Sequence, residues 1–179
     1  APARVQTTGN LNATYSNGSS GVGATLTNAG TQAAISIDGV TLSSADRVLV
    51  SEQTNAAHNG IYTVTTVGTA SSNFVLTRAT DADSYGPSDP DAFGQGDAFF
   101  IKEGNTNAGH LDVMNTSGAI TFGTTNIVFV VGQYEVPPMS WAIFPLSFDL
   151  QPPITLVSEP IFVTICGGLN LLRFGSLLQ

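Results

Sequence analysis

Apolar and polar residues alternate most clearly over residues 37–68. Ile37, Val40, Leu42, Val48 and Val50 recur at strand spacing, a polar loop follows over 51–60, and Ile61, Tyr62, Val64 and Val67 resume the pattern. A period of two argues for strands with one buried face. Asn59-Gly60, at the end of the loop, predicts a tight hairpin, because both residues tolerate the positive φ of a type I′ turn. Asn17-Gly18, within the turn-rich loop 15–24, predicts a second hairpin with poorer flanking alternation.

The same reading extends along the chain. Phe74-Val75-Leu76-Thr77-Arg78, Phe99-Phe100-Ile101-Lys102, the set Leu111, Val113 and Met114, Ala119-Ile120-Thr121-Phe122, and Ile127-Val128-Phe129-Val130-Val131 read as strands separated by turn signals. No segment carries ten residues of helical periodicity. Short strands at such spacing predict an all-β domain, a β-sandwich or barrel-like module. Residues 1–34, rich in Thr, Asn, Gly and Ser, predict an extended N-terminal arm, and 35–133 the β module. Six of the nine prolines fall in 134–179, which marks that stretch as different. Proline lacks a donor and belongs to edge strands, so 134–179 predicts a Pro-rich apolar C-terminal arm, or small β-subdomain, that packs on neighbouring copies. Trp141, Phe144, Phe148, Ile161, Phe162, Leu171 and Leu172 are its candidate interface residues.

Composition narrows the function classes. Only 10% of the 179 residues are charged, against about 25% in ordinary domains. Hydroxyl and amide side chains supply the polarity instead, as suits a chain packed among other copies, or a β-fold with many turns. The net charge is −8, and the five cations, Arg4, Arg47, Arg78, Lys102 and Arg173, are scattered along the sequence. Nucleic acid, which needs clustered cations, is therefore not an expected partner. Cys166 is the single cysteine, which excludes an intramolecular disulfide. The apolar run 161–172 is too short for a membrane span of about 20 residues. Residues 1–30 show no basic segment followed by an apolar one, so no secretion signal is expected within them.

Candidate chemistry is sparse. Asp81, Asp83, Asp89 and Asp91 lie in the acidic loop 81–97 and form a candidate calcium site, since alternating carboxylates suit a hard cation. The loop lacks the closing Glu of an EF-hand, and Pro87 and Pro90 interrupt it. A solvated acidic loop is the competing reading. Calcium is the one cofactor these residues suggest. His58 and His110 read as isolated loop histidines. Tyr62, Phe74, Tyr85, Phe93, Phe99 and Phe100 read as core aromatics rather than a carbohydrate platform. Paired carboxylates could serve glycoside hydrolysis, but sequence gives no separation. No nucleophile elbow, zinc helix or phosphate loop is present. The expectation is a protein that is not an enzyme.

An ordered series of motifs adds to this reading. It runs through Ile37-Asp38-Gly39-Val40-Thr41-Leu42, Asp46-Arg47-Val48-Leu49-Val50 and Gln53-Thr54-Asn55-Ala56-Ala57-His58-Asn59-Gly60-Ile61-Tyr62. It continues with Leu76-Thr77-Arg78-Ala79-Thr80-Asp81, Gly96-Asp97-Ala98-Phe99-Phe100-Ile101, Glu103-Gly104-Asn105-Thr106-Asn107 and Ile120-Thr121-Phe122-Gly123-Thr124-Thr125. Over about residues 35–131 the series resembles a β-rich module of bacteriophage tail fibres, tail spikes and related virion structural proteins. Departures are Ser51-Glu52, where the family tends to have a basic residue followed by Asp or Asn, Ala108-Gly109-His110-Leu111, which replaces a Gly-Trp step, and an enlarged loop 85–94. The resemblance implies a non-enzymatic virion component, a homo-oligomer such as a trimer, with other virion proteins and a cell-surface glycan as candidate partners. The alternatives are an extracellular adhesin or filament subunit assembling by strand donation, and a carbohydrate-binding or carbohydrate-cleaving receptor-binding protein.

Overall fold

The computed structural model describes residues 1–86 and 92–132. The chain divides into two units, Ala1–Glu135 and Val136–Gln179, so the second lies outside the described residues. The described strands are β1 (Val5–Gln6), β2 (Ala13–Ser16), β3 (Thr25–Asn28), β4 (Ser36–Ile37), β5 (Val40–Thr41), β6 (Arg47–Val50), β7 (Gly60–Thr66), β8 (Val75–Arg78), β9 (Ala98–Phe100), β10 (Leu111–Met114) and β11 (Phe129–Val131). The one helical element among the described residues is a single 3-10 turn, Ala56–His58. No described helix is long and apolar enough to cross a membrane. The all-β expectation holds for these residues.

Six strands form a mixed sheet in the order β1-β6-β7-β8-β3-β2, with β1 parallel to β6 and the other pairs antiparallel. Residues 1–34, expected as an extended arm, supply β1, β2 and β3. Their apolar positions are few but in register: Leu26 faces Tyr15 on one side and Leu76 on the other. The Asn17-Gly18 pair does lie between paired strands, but inside the longer loop 17–24. The stretch Ala119–Phe122, expected as a strand, forms none, yet it buries Ile120 and Phe122.

A second sheet, β9-β10-β11 with β10 central, is antiparallel throughout. Main-chain bonds tie it to the first sheet just before β1. Ala3 N–H donates to the Phe100 carbonyl at 3.0 Å, and Lys102 N–H donates to the Ala3 carbonyl at 3.1 Å. Val48, Leu49 and Val50 are all fully buried, so β6 is covered on both faces. On one face Val48, Tyr62 and Leu76 pack with Ile35, Ile37 and Leu42 around the β4–β5 hairpin. On the other, Leu49 and Ile61 pack with Phe99, Ile101 and Met114 of the small-sheet region and with Phe122 and Ile127. Each fully buried aliphatic side chain contributes roughly 1.5–3 kcal/mol.

The two clusters meet at Arg78, which is only 2% exposed. Its guanidinium carbon lies 4.9 Å from the ring centroids of both Tyr62, from the first cluster, and Phe122, from the second. Nη2 donates to the Asn59 carbonyl at 3.1 Å and to the Tyr62 hydroxyl at 2.9 Å. The Tyr62 hydroxyl in turn donates to the His58 carbonyl at 2.6 Å, and burial raises its pKa, which keeps it protonated for that role.

This arrangement corrects the expected turn at Asn59-Gly60. Asn59 has φ −64° and ψ 163°, extended backbone that ends the 3-10 turn. Its amide points inward: Nδ2 donates to the Ser51 and Ile127 carbonyls at 3.0 and 2.9 Å, and Oδ1 accepts from Gln53 N–H at 2.9 Å. Gly60 has φ +145°, and a Cβ there would collide with the Arg78 guanidinium. The glycine makes room for the arginine rather than for a turn. The two-residue hairpin lies at Asp38-Gly39 instead, with φ +49° and +79° and Ile37 paired with Val40. Positive φ at both central residues is the type I′ requirement.

Asp38 also anchors the loop after β9. Its carboxylate accepts from Thr106 N–H at 3.0 Å and Asn107 N–H at 2.9 Å, and its carbonyl accepts from Asn105 N–H at 2.9 Å. Desolvation pushes the carboxyl pKa up, and the donors from Asn107 and Thr106 outweigh it and hold it below the usual carboxylate value.

Two predictions follow from this geometry. Gly60→Ala should destabilise the protein by at least about 2 kcal/mol, from positive φ and the displaced Arg78. Gly9→Ala, with nothing within 4 Å of the added methyl, should stay within about 0.5 kcal/mol of wild type. Urea unfolding of both variants compares them; equal midpoints would reject the role given to Gly60. For Asp38 the folded pKa is depressed, so its stabilisation is present above the unfolded value of about 3.9 and is lost as pH falls through the folded one. The gap in melting temperature between wild type and Asp38→Asn should therefore be full at pH 6 to 7, on the order of neutrality, and close on acidification.

Candidate functional site

The small sheet presents an apolar face to solvent, and strand register shows why. Leu111 pairs with Phe100, and Val113 with Ala98 and Val130, so these five share one face. Asp112, Met114, Phe99 and Phe129 alternate onto the other, where Met114 and Phe99 join the second core cluster. Phe100 is 48% exposed, Leu111 44% and Val130 41%, and Val128 just before β11 is 45% exposed. No charged side chain belongs to the five paired residues of that face. A contiguous apolar patch of this kind marks a contact surface more often than scattered apolar residues do.

These residues were not among the interface residues expected from sequence. Trp141, Phe144, Phe148, Ile161, Phe162, Leu171 and Leu172 all lie outside the described residues. The signal for the small sheet was present in Phe99-Phe100-Ile101 and Ile127–Val131, runs with apolar residues at both parities. Such a run gives one set to the core and leaves the other to be covered by something else.

Of the candidate calcium ligands, Asp81 and Asp83 are described and Asp89 and Asp91 are not. Asp81 is engaged by Arg47, whose Nη1 donates to Oδ1 at 2.7 Å. Desolvation pushes the Asp81 carboxyl up, and Arg47 more than offsets this and holds it low. Asp83 is buried, 7% exposed, and burial raises its carboxyl pKa against the pull of Arg78. Among the described residues no group of three or more His, Cys, Asp or Glu could hold a metal. Two further carboxylates are also taken by arginine: Asp46 and Glu103 both pair with Arg4.

The histidines are separate from one another in role. His58 stacks on Tyr15, with ring centroids 4.0 Å apart and an interplanar angle of 16°. Its pKa is lowered by burial and then by the charge of Arg78. His110 lies between the loop after β9 and β10, with Nδ1 buried and without a partner among the described residues. Of the six aromatics expected in the core, Tyr62, Phe74, Phe93 and Phe99 are buried and Tyr85 packs against the second cluster. Phe100 is the exception and belongs to the exposed face. No protein-family model, no curated protein and no solved structure matches this chain.

Proposed function

We propose that the chain is a non-enzymatic structural component of a bacteriophage virion, in a tail fibre, tail spike or capsid decoration, that acts by assembling with further copies of itself. The observation that carries the assembly reading is the exposed apolar face formed by Phe100, Leu111, Val113 and Val130. Leaving such a face in water is unfavourable by about 25 cal/mol per Å² of apolar surface. A second copy is the occupant it suits, because the chain itself supplies a matching uncharged surface, and only 10% of its residues are charged.

The virion assignment draws on the motif series, and the fold gives those motifs a physical relation. Asp38 of the first motif holds Thr106 and Asn107 of the sixth. Arg78 of the fourth is gripped by Asn59 and Tyr62 of the third and Phe122 of the last. Short motifs far apart in sequence are thus parts of one contact set, as a recurrent module requires. A β-sandwich or barrel-like arrangement of the packed sheets belongs to the same reading.

Replacing Leu111 and Val130 together by Asp should shift the full chain from oligomer to monomer in analytical ultracentrifugation, with its far-UV circular dichroism unchanged. A wild-type chain that sediments as a monomer at high concentration, or a double variant that still assembles, would rule out assembly through this face. The virion assignment is tested separately, by probing purified particles from a producing culture with an antibody to the chain.

A further inference from the structure

A cleft of about 240 Å³ opens between β1, the residues after β6, and the inner side of the small sheet. Gln6 and Asp112 line it, although each is more than nine-tenths buried. Gln6 Nε2 donates to Asp112 Oδ1 at 2.9 Å and to Ser51 Oγ at 3.1 Å. Three polar atoms of the lining residues are buried without a partner among the described residues: Gln6 Oε1, Asp112 Oδ2 and His110 Nδ1. Exchanging O and N of the Gln6 amide would not help, because it would set that oxygen against the Asp112 carboxylate. A buried polar atom left unpaired is destabilising, and three in one place call for a missing partner.

The chemistry of the deficit limits that partner. Two of the three atoms are acceptors only, so the partner must donate. Glu52, His110 and Asp112 line the cleft, but among the described residues no three such groups come close enough together to hold a metal ion. An ammonium would meet the acceptors but would leave the hydroxyl donors of Thr7 and Thr106 on the cleft wall unused. Hydroxyl groups both donate and accept and suit all of them. Phe129 and Val131 add an apolar wall, against which the C–H face of a ring can lie. The volume is below the roughly 300–1,000 Å³ of pockets for larger ligands, which fits one ring rather than several.

We propose that this cleft binds a neutral saccharide unit, whose ring hydroxyls complete Gln6, Asp112 and His110 directly or through one ordered water. The site is independent of assembly through the opposite face of the small sheet. Burial pushes the Asp112 carboxyl pKa up, with Gln6 and His110 opposing it, which agrees with an acceptor short of donors.

Saturation-transfer NMR on the full chain tests this with four probes, the methyl glycosides of glucose, galactose, mannose and N-acetylglucosamine, and with methylammonium chloride as the cationic comparison. Transfer to at least one glycoside is expected. Asp112→Asn and His110→Ala should weaken it about tenfold or more, the loss of a hydrogen bond to a charged or buried group, while Thr65→Val, outside the cleft, should not. Should Asp112→Asn fail to fold, the half-buried His110 variant carries the comparison. Transfer to none of the glycosides, transfer unchanged in the cleft variants, or a response to methylammonium alone would overturn the proposal. None of these outcomes bears on assembly, which sedimentation measures.

Discussion

A cation held between two aromatic rings joins the halves of this fold. Arg78 is buried without a direct ion pair among the described residues, an arrangement that desolvation makes expensive unless other groups replace water. Tyr62 and Phe122 supply two π faces at 4.9 Å, and the Asn59 carbonyl and Tyr62 hydroxyl accept from one guanidinium nitrogen. Arginine suits this place because its flat, weakly hydrated guanidinium can stack and hydrogen-bond at once. The neighbouring structure follows from making room for it. Gly60 lacks a side chain where the guanidinium lies, and the Asn59 amide closes the loop that carries its carbonyl.

A second anchor works by a different force. Asp38 sits in a type I′ turn and collects backbone N–H groups from a loop some seventy residues away. Charge-assisted bonds of this kind are stronger than neutral ones, and they hold the loop between β9 and β10 in place. That loop forms part of the wall of the polar cleft, through Thr106 and Asn107. The hairpin turn thus bears indirectly on the shape of the proposed ligand site.

The small sheet divides its work between its two faces. The outward residues are apolar and exposed, while the inward ones split between core, in Met114 and Phe99, and cleft, in Asp112. Ser51, Glu52 and His110 line that cleft beside Asp112.

The sequence by itself determined the all-β class and most strand positions, because period-two alternation reports directly on which side chains face a core. It did not mark Asp38-Gly39 as a turn, and it marked Asn59-Gly60 as one. Only the tertiary structure showed that the first is the turn and that the second is a space for Arg78, since the colliding group comes from eighteen residues later in the chain. Residues 1–34 read as an extended arm because their apolar positions are few; partners in β6 and β8 make strands of them. The cleft was not legible at all. Gln6, Ser51, His110 and Asp112 are unremarkable singly, and they meet only because β1 pairs in parallel with β6 and the small sheet closes beside them.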